Sequence, residues 1–490
     1  MLQAMSQENQ RIKVPFEHRF DQFYYEEEDR QADLQNRQYF RYYDSRVQAL
    51  KGRILARARE EVDKSIKITP LSKLVPNRPA LICGVTIKRC KNRPSVFDEF
   101  KKQDFDDEDE LWDLEDAEEE AELNAENPYA RVETLCSSAD TLEIEDDKQR
   151  LPLVGADINK DHFVTGNILG FYGAKDANED FVVEKVICPQ LAPQIPWPSK
   201  VSDSYIMFIS GFNLNAQIAK NEWKMAAFHQ LADFLQGNSL DPQQCDLGKK
   251  VGRVIFVGDT VRISTKDYTR YMVTKLGQSQ TYEPNGLEQL DRLLEDMTMT
   301  VPVTLMPGPN DICDALWPQR PILKKSLLRN KKYYSNCDTV TNPYSFDYDG
   351  VRFLGSSGQN IDDMIRYTKG KSTIELMKDL LEKSHLCPTC PDTIDGHPYV
   401  GKDPLVIKET PHVFFVGNQP KFASEMVKLS DGCKVLMLSL PRFSQTHEVY
   451  LFNPKTLETL PFEVFIDEEL IERTHFDPDD DEVQEMDVDE

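Results

Sequence analysis

Four stretches decide the fold of this chain: Phe208-Ile-Ser-Gly-Phe-Asn213, Val257-Gly-Asp-Thr-Val-Arg262, Met306-Pro-Gly-Pro-Asn-Asp311 and Phe415-Val-Gly-Asn-Gln-Pro420. In each of them, a short run of β-branched or other apolar residues ends in a loop that contains glycine. This pattern is typical of a buried strand that delivers a loop at its carboxyl end. One such loop alone indicates an ordinary strand-to-helix turn, but four in order along one region favour a common framework.

The glycines of these loops resemble those of calcineurin-like phosphoesterases, whose four loops carry Asp-x-His, Gly-Asp-x-x-Asp, Gly-Asn-His-Asp and Gly-His-x-His and hold two metal ions. The resemblance assigns nine residues to metal-site positions of that family: Gly211, Asn213, Asp259, Arg262, Pro309, Asn310, Ser357, Asn418 and Pro420. Asp259 alone keeps the family's residue. Gly211 and Arg262 replace aspartates, Pro309 replaces an asparagine, and Asn213, Asn310, Ser357, Asn418 and Pro420 replace histidines.

A pair of divalent metal ions needs several anionic or imidazole ligands to offset the loss of its bound water. One matched carboxylate, Asp259, cannot supply them. The sequence therefore predicts no metal, no cofactor and no catalytic residue at these positions. It favours a protein that is not an enzyme.

The combination of kept glycines and lost ligands resembles the small B-subunits of replicative DNA polymerases, and among them those of DNA polymerase delta. The motifs that carry this resemblance are Val340-Thr-Asn-Pro-Tyr344, Asp349-Gly-Val-Arg-Phe-Leu-Gly-Ser-Ser-Gly-Gln-Asn-Ile-Asp-Asp363, Pro391-Asp-Thr393, Asp403-Pro404 and Pro411-His-Val-Phe-Phe-Val-Gly-Asn-Gln-Pro420. Similarity runs from Phe16 to about Phe465 and leaves out two acidic segments.

The resemblance implies a noncatalytic accessory subunit that acts in DNA replication and repair synthesis in the nucleus. Its expected partners are the C-terminal region of the polymerase delta catalytic subunit and a further accessory subunit, with DNA contacted only indirectly. Two other classes stay open. An active metallophosphoesterase or nuclease would need the missing ligands, and a single-strand-binding protein would need a basic face.

The resemblance and the local sequence patterns together predict an α+β protein. Its expected parts are an OB-fold barrel and an inactive phosphoesterase-like sandwich of mixed sheets. The expected layout is an N-terminal segment (1–64), the OB-fold (65–188) with an acidic insert (104–126), a proline-rich linker (189–198), the phosphoesterase-like domain (199–465) and a disordered acidic tail (466–490). Four prolines in ten residues stiffen the linker.

Local patterns fill in part of this layout. Apolar residues at Phe40, Tyr43, Val47, Leu50 and Ile54 have a 3-4-3-4 spacing, which predicts a helix that packs one face within the chain. Strands are predicted over Ala80–Arg89, Val164–Tyr172 and Phe181–Ile187, and helices over Ala216–Leu235 and Leu287–Met297. Phe171 and Tyr172 are the only adjacent aromatics on the predicted barrel strands, so we expect the barrel to contact protein rather than a single strand.

The net charge of −26 is confined to two segments. Residues 104–126 contain 14 acidic and no basic residues, and residues 467–490 contain 13 acidic residues and Arg473. Such segments repel themselves and have little apolar area to bury, so we expect both to be disordered. A docking role for a basic partner is the alternative.

Ten cysteines are scattered along the chain, and we expect them to be thiols, as in a cytosolic or nuclear protein. The one close spacing is His385-Leu-Cys387-Pro-Thr-Cys390. A structural zinc site needs four ligands, and no second pair follows at the usual spacing, so the two cysteines are predicted to be reduced. No apolar run reaches the roughly 20 residues that cross a bilayer.

Overall fold

The structure is a computed structural model that describes residues 11, 13–25, 38–93, 134–156, 158–214, 222–239, 241–262, 287–327 and 335–464. The predicted acidic insert and acidic tail lie outside these residues. Within the described ranges, the strands form one closed barrel and two six-stranded sheets, which confirms the α+β class. No helix in these ranges is long and apolar enough to cross a membrane.

The barrel contains β2 (Pro79–Arg89), β3 (Thr141–Glu145), β4 (Arg150–Val154), β5 (Ile168–Lys175) and β6 (Phe181–Ile187), in the order β2-β3-β4-β6-β5. β3 and β4 were not predicted because their alternating pattern extends over only five residues each. The strand predicted from Val164 begins four residues later. Gly166 has a positive φ of +90° and donates its N–H to the Thr86 carbonyl, so the chain turns before β5.

Two sheets form a sandwich. The first has the order β1 (Phe16–His18), β11 (Tyr344–Tyr348), β12 (Val351–Ser356), β13 (Val413–Gln419), β15 (Lys434–Pro441) and β14 (Ala423–Lys428). The second has the order β10 (Cys337–Thr339), β9 (Val303–Met306), β8 (Val251–Val257), β7 (Tyr205–Ile209), β16 (Glu448–Asn453) and β17 (Glu458–Glu463). Buried side chains of both sheets form one cluster, in which the rings of Phe208 and Phe415 lie 5.3 Å apart.

Helices cover the outer faces of both sheets. Those on the second sheet are α2 (Glu222–Gln236), α3 (Pro242–Lys249) and α4 (Leu287–Thr298), and those on the first are α6 (Gln359–Tyr367) and α7 (Thr373–Glu382). Two shorter helices are α5 (Lys324–Leu327) and α8 (Phe443–Thr446). The helix predicted to start at Ala216 is described only from Glu222, and α4 ends one residue beyond the predicted Met297.

Parallel pairing fixes where the loops of the sandwich meet. β7, β8 and β9 run parallel in one sheet, and β12, β13 and β15 run parallel in the other. The loops that follow these strands come together at one edge of the sandwich, where all nine sequence-assigned positions lie on loops or strand ends.

The N-terminal segment is part of the sandwich, which the sequence did not predict. β1 pairs antiparallel with β11, so that Phe16 lies opposite Tyr348. At three residues, β1 is too short to give a period-2 signal. Farther along, Phe23 and Tyr25 are buried against the cluster below α6 and α7.

The N-terminal helix, α1 (Phe40–Glu61), lies between the barrel and the sandwich and extends past the predicted Ile54. Leu50 and Ile54 pack on the barrel, as the apolar spacing predicts. The predicted face is wrong at its start, however, because Phe40 is 65% exposed. Tyr42 is fully buried instead, and the buried face is rotated toward Arg46.

Arg46, on α1, contacts both the barrel and the sandwich. Its guanidinium donates to Asp403 Oδ2 at 2.6 Å and to the carbonyls of Gly166, Pro388 and Cys390 at 3.0, 2.9 and 2.7 Å. Both charged side chains are completely buried. Burial by itself raises the pKa of Asp403, but Arg46 and His385 outweigh it and hold this pKa below its usual value.

His385 is part of this buried cluster. Its Nε2 lies 2.9 Å from Asp403 Oδ2. Burial, together with the positive charge of Arg46, lowers the pKa of His385 to about 4. Cys387 and Cys390 are buried, and all ten cysteines are free thiols, as predicted.

The proline-rich linker is held along its length. Arg53 of α1 donates to the Gln190 and Ile407 carbonyls, and Arg57 forms an ion pair with Asp431 at 2.6 Å. The Thr410 hydroxyl donates to the Ala192 carbonyl at 2.6 Å. α1 and the linker therefore join the barrel to the sandwich through many fixed contacts.

Replacing Arg46 by methionine will destabilise the chain by about 3–5 kcal/mol, because it leaves the Asp403 carboxylate buried without its cation. Urea denaturation of the purified chain measures this loss. Arg41→Met, at an exposed site on the same helix, is the matched control and will change stability by less than about 0.5 kcal/mol. Adding Asp403→Asn to Arg46→Met will recover part of the loss, and equal losses in the single and double variants would contradict the ion-pair explanation.

Candidate functional site: converging loops at one edge of the sandwich

The nine positions that the sequence assigned lie on the converging loops of this edge, and six of them are buried or partly buried. Gly211 and Asn213 follow β7, Asp259 and Arg262 follow β8, Asn310 follows β9, Ser357 follows β12, and Asn418 lies near the end of β13. The other three, Arg262, Pro309 and Pro420, are exposed. The loops touch closely, since a Cβ atom on Gly211 would lie 2.6 Å from Asn418 Oδ1.

Asp259, the one retained ligand, is bound by a residue of the neighbouring loop. Its Oδ1 accepts the backbone N–H of Asn310 at 3.0 Å, and its Oδ2 accepts Asn310 Nδ2 at 3.1 Å. The side chain is buried. Burial raises the pKa of Asp259, while the hydrogen bonds from Asn310 and the charges of Arg442 and Arg262 oppose this rise. Asn310, which the resemblance assigns to a histidine position, thus donates both of these hydrogen bonds to the carboxylate.

Asp311 links the same two loops, which follow β8 and β9. Its carboxylate accepts the backbone N–H groups of Val261 and Gly308 at 2.9 and 2.8 Å. Burial, and next the charge of Asp259, raise the pKa of Asp311 to about 7. The carboxylates of Asp259 and Asp311 therefore lie close together, and backbone N–H groups donate hydrogen bonds to that of Asp311.

Asn418 joins four strand ends. Its side-chain Nδ2 donates to the carbonyls of Ser357 and Val257 at 2.7 and 3.4 Å, and its backbone N–H donates to Ser210 Oγ at 2.6 Å. These partners belong to β12 or its loop, β8 and the end of β7. Asn418 has a positive φ of +57°, which asparagine tolerates better than most residues. An amide at this position cross-links the loops through neutral hydrogen bonds.

Ser357 belongs to a second buried amide network. Asn342 Nδ2 donates to Ser357 Oγ at 2.6 Å and to Gln319 Oε1 at 2.7 Å, while Ser357 N–H returns a bond to Asn342 Oδ1 at 3.1 Å. Gln359 bonds to Gln319 at 3.0 Å. Asn342 and Gln359 stand inside the sequence motifs that carried the family resemblance, so the signal for this network was present, but its role was not predicted.

Arg442 was not predicted from the sequence to lie at this site. It follows β15 and is 5% exposed, and its Cγ would lie 2.8 Å from a Cβ on Gly211. Its Nη2 is 3.6 Å from Asp362 Oδ2. Burial raises the pKa of Asp362 to about 6, and Arg442 opposes that rise. No motif in the sequence marks Arg442, whose position depends on the packing of both sheets.

The residues present do not fit a pair of divalent metal ions. The oxygens of Asp259 and Asp311 accept hydrogen bonds from the protein, and Arg442 brings a positive charge beside Asp259 and Asp362. Two buried amide oxygens, on Asn213 and Asn418, have no hydrogen-bond donor, but neutral oxygens do not offset the cost of dehydrating two dications.

The hydroxyls of Ser210 and Ser357 at this edge are hydrogen-bonded to Asn418 and Asn342. The group of potential ligands with atoms within 4.8 Å of one another that is found in the described ranges is Cys136, Asp140 and Asp161, at the barrel. The hydrogen bonds of Asp259, Asp311 and Asn418 link the loops at the sandwich edge.

Comparisons with known proteins identify the family. Residues 206–424 match the model for the B-subunit of DNA polymerase alpha/epsilon, and residues 38–186 match the model for the DNA polymerase delta subunit OB-fold domain. The DNA polymerase delta small subunit of Oryza sativa subsp. japonica is 30% identical over 404 residues, which cover 82% of this chain and 88% of the rice protein. The chain belongs to the family of DNA polymerase delta small subunits. The OB-fold assignment of the barrel is thereby confirmed.

More distant relatives extend the family. The DNA polymerase delta small subunit of Saccharomyces cerevisiae is 26% identical and covers 86% of this chain and 88% of its own length. The DNA polymerase II small subunit of Methanothermobacter thermautotrophicus is 26% identical over 56% of each chain. The solved structure of the protein TT1561 of Thermus thermophilus covers 54% of this chain and 100% of its own with 12% identity, and its TM-score of 0.27 is too low to establish a shared fold.

The closed packing at Gly211 predicts a specific cost of adding a side chain there. Gly211→Ala places a Cβ 2.6 Å from Asn418 Oδ1 at a φ of +59°, whereas Gly432→Ala, at a φ of +86°, meets no atom within 4 Å. Gly432→Ala will cost about 1 kcal/mol for its backbone conformation. Gly211→Ala will cost about 2 kcal/mol more because of overpacking. Chemical denaturation compares the two, and equal losses would show that the site is open.

Proposed function

We propose that this chain is a noncatalytic scaffold subunit of DNA polymerase delta. It binds the C-terminal region of the catalytic subunit and a further accessory subunit, acts in the nucleus in replication and repair synthesis, and contacts DNA only indirectly. Its two folded parts are an OB-fold within 65–188 and an inactive phosphoesterase-like domain within 199–465. The observation that carries this proposal is the bonding of Asp259 to Asn310 where a phosphoesterase would bind metal.

Rigidity supports a scaffold role. The Arg46 guanidinium contacts the barrel through the Gly166 carbonyl and the sandwich through Asp403, and both partners are buried. A subunit that holds two partners at once must keep its two binding surfaces at a fixed distance. Junctions with several buried hydrogen bonds keep that distance better than a flexible linker does.

In the part of the barrel that the structure describes, the adjacent aromatics Phe171 and Tyr172 do not offer a surface for stacking bases. Phe171 is fully buried in the barrel core, 6.4 Å from the Phe163 ring, and Tyr172 packs against the cluster below α1. Bases stack only on exposed aromatic side chains. Protein contact is therefore favoured over the single-strand-binding alternative, which a salt-dependent oligonucleotide titration tests directly.

The proposal predicts that the full-length chain has no phosphodiesterase activity. With manganese added, elemental analysis of the desalted protein will find far less than one metal per chain, and a chromogenic phosphodiester will not be hydrolysed, because the carboxylates are already bonded. Asp259→Ala is the matched variant, and its background will equal that of the unchanged chain. Stoichiometric manganese, zinc or iron, with hydrolysis lost in Asp259→Ala, would support the phosphoesterase alternative instead.

The proposal also predicts complex formation. Co-expression with the polymerase delta catalytic subunit will yield a stable complex and will raise the amount of soluble chain, because partners in permanent complexes bury large apolar faces. A catalytic subunit without its C-terminal region is the control and will not co-purify. A well-behaved monomer that neither co-purifies with the catalytic subunit nor changes its primer extension would rule out the scaffold.

A further inference from the structure

The edge of the sandwich contains a buried cation, although its residues do not fit a pair of metal ions. Arg442 directly follows β15, and its side chain is 6% exposed. The guanidinium group of arginine is not deprotonated in proteins. Its charge must therefore be matched by groups of the protein, as the charge of a bound metal ion would be.

A partner of opposite charge is Asp362, in the first turn of α6. Its Oδ2 lies 3.6 Å from Arg442 Nη2, and its Oδ1 accepts a hydrogen bond from Gln419 Nε2 at 3.2 Å. The Asp362 side chain is 25% exposed, so water reaches this ion pair only from one side. Removing either charge leaves the other poorly solvated, which destabilises the folded chain.

The aliphatic stem of Arg442 packs where position 211 has no side chain. A Cβ atom on Gly211 would lie 2.8 Å from Arg442 Cγ and 2.6 Å from Asn418 Oδ1, and both distances are too short for real contacts. The aspartate that the phosphoesterase resemblance expects at position 211 would therefore collide with Arg442. The loss of that ligand and the presence of the arginine are sterically linked.

The main chain keeps Arg442 in this place. The backbone N–H groups of Phe443 and Ser444 donate to the carbonyls of Ser210 and Gly211 at 2.7 and 3.1 Å. The loop after β15 is thus bonded directly to the loop after β7, and the arginine side chain has a fixed starting point from which to reach α6.

A buried amide oxygen lies beside the stem of Arg442. Asn418 is 2% exposed, and its Oδ1 accepts no hydrogen bond within the described residues. Its Nδ2 donates to the Ser357 and Val257 carbonyls, which fixes the direction in which Oδ1 points. A carboxylate and an amide oxygen that accept but do not donate hydrogen bonds are suited to a cation with N–H groups.

We propose that this edge is a site for a single cation, and that its resident cation is the guanidinium group of Arg442. Asp362 binds the guanidinium, Asn418 lines the space, and Gly211 leaves room for the stem. Arg442 thereby joins the loops after β7 and β15 to α6, whereas metal ions hold the loops of the phosphoesterases that the sequence resembles. This role does not depend on any partner of the chain.

Removing the arginine side chain and supplying its head group in solution tests the site. Arg442→Ala will lower the melting temperature of the full-length chain by several degrees, because Asp362 loses its cation. Guanidinium chloride at about 20 mM will then raise that temperature by about 2 °C, as mass action gives for a dissociation constant of about 10 mM. Sodium chloride at the same concentration will not. Arg41→Ala, at an exposed site, is the matched control, and neither salt will stabilise it or the unchanged chain.

A double-mutant cycle provides a second measurement, which decides the matter if Arg442→Ala does not fold. Arg442→Met and Asp362→Asn will each lower the melting temperature, and the double variant will lose clearly less than the sum of the two losses. Arg442→Lys, which keeps the charge, will lose less than Arg442→Met.

Three results would each overturn the assignment. One is guanidinium that stabilises folded Arg442→Ala no better than sodium does. Another is strictly additive losses in the cycle, with equal losses in Arg442→Lys and Arg442→Met. The last is a fall in the melting temperature of the unchanged chain when EDTA is added, because a bound metal ion would then hold the edge.

Discussion

The buried ion pair between Arg46 and Asp403 is the constraint on which the arrangement of the whole chain depends. Two charges without water are costly, by several kcal/mol each, unless every donor and lone pair is matched. Arg46 meets this condition only when the barrel loop at Gly166, the loop at Pro388 and α1 are all in place. Each of the three parts therefore stabilises the position of the other two.

The loops at the edge of the sandwich also hold carboxylates away from water, and Arg442 brings a positive charge beside Asp259 and Asp362. The oxygens of Asp259 and of the partly buried Asp311 accept hydrogen bonds from amide and backbone donors. In a metal site, the ions would occupy those lone pairs. Here, the amides of Asn310 and Asn418 donate hydrogen bonds to neighbouring loops, so the loops hold one another together.

Features that depend on residues close together in the sequence could be predicted, and features that depend on distant residues could not. Strand-ending loops, the glycines and the apolar face at Leu50 and Ile54 are local patterns, and the structure contains them. The motif at Asp403 was recognised, but its partner lies 357 positions away, and no local pattern encodes such a pairing. Arg442 and the short strand β1 were not predicted for the same reason, because packing between distant segments determines the position of both.

If the proposed function is right, the two buried networks explain how the loops keep their places without metal ions. A catalytic metal centre must keep open coordination positions, which leaves polar atoms unsatisfied in the absence of substrate. In this chain Asn310 donates to Asp259, and Asn418 donates to the Ser357 and Val257 carbonyls, so the protein itself holds these loops. Together with the buried hydrogen bonds of Arg46, these contacts favour a constant shape, which is the property that the proposed scaffold requires.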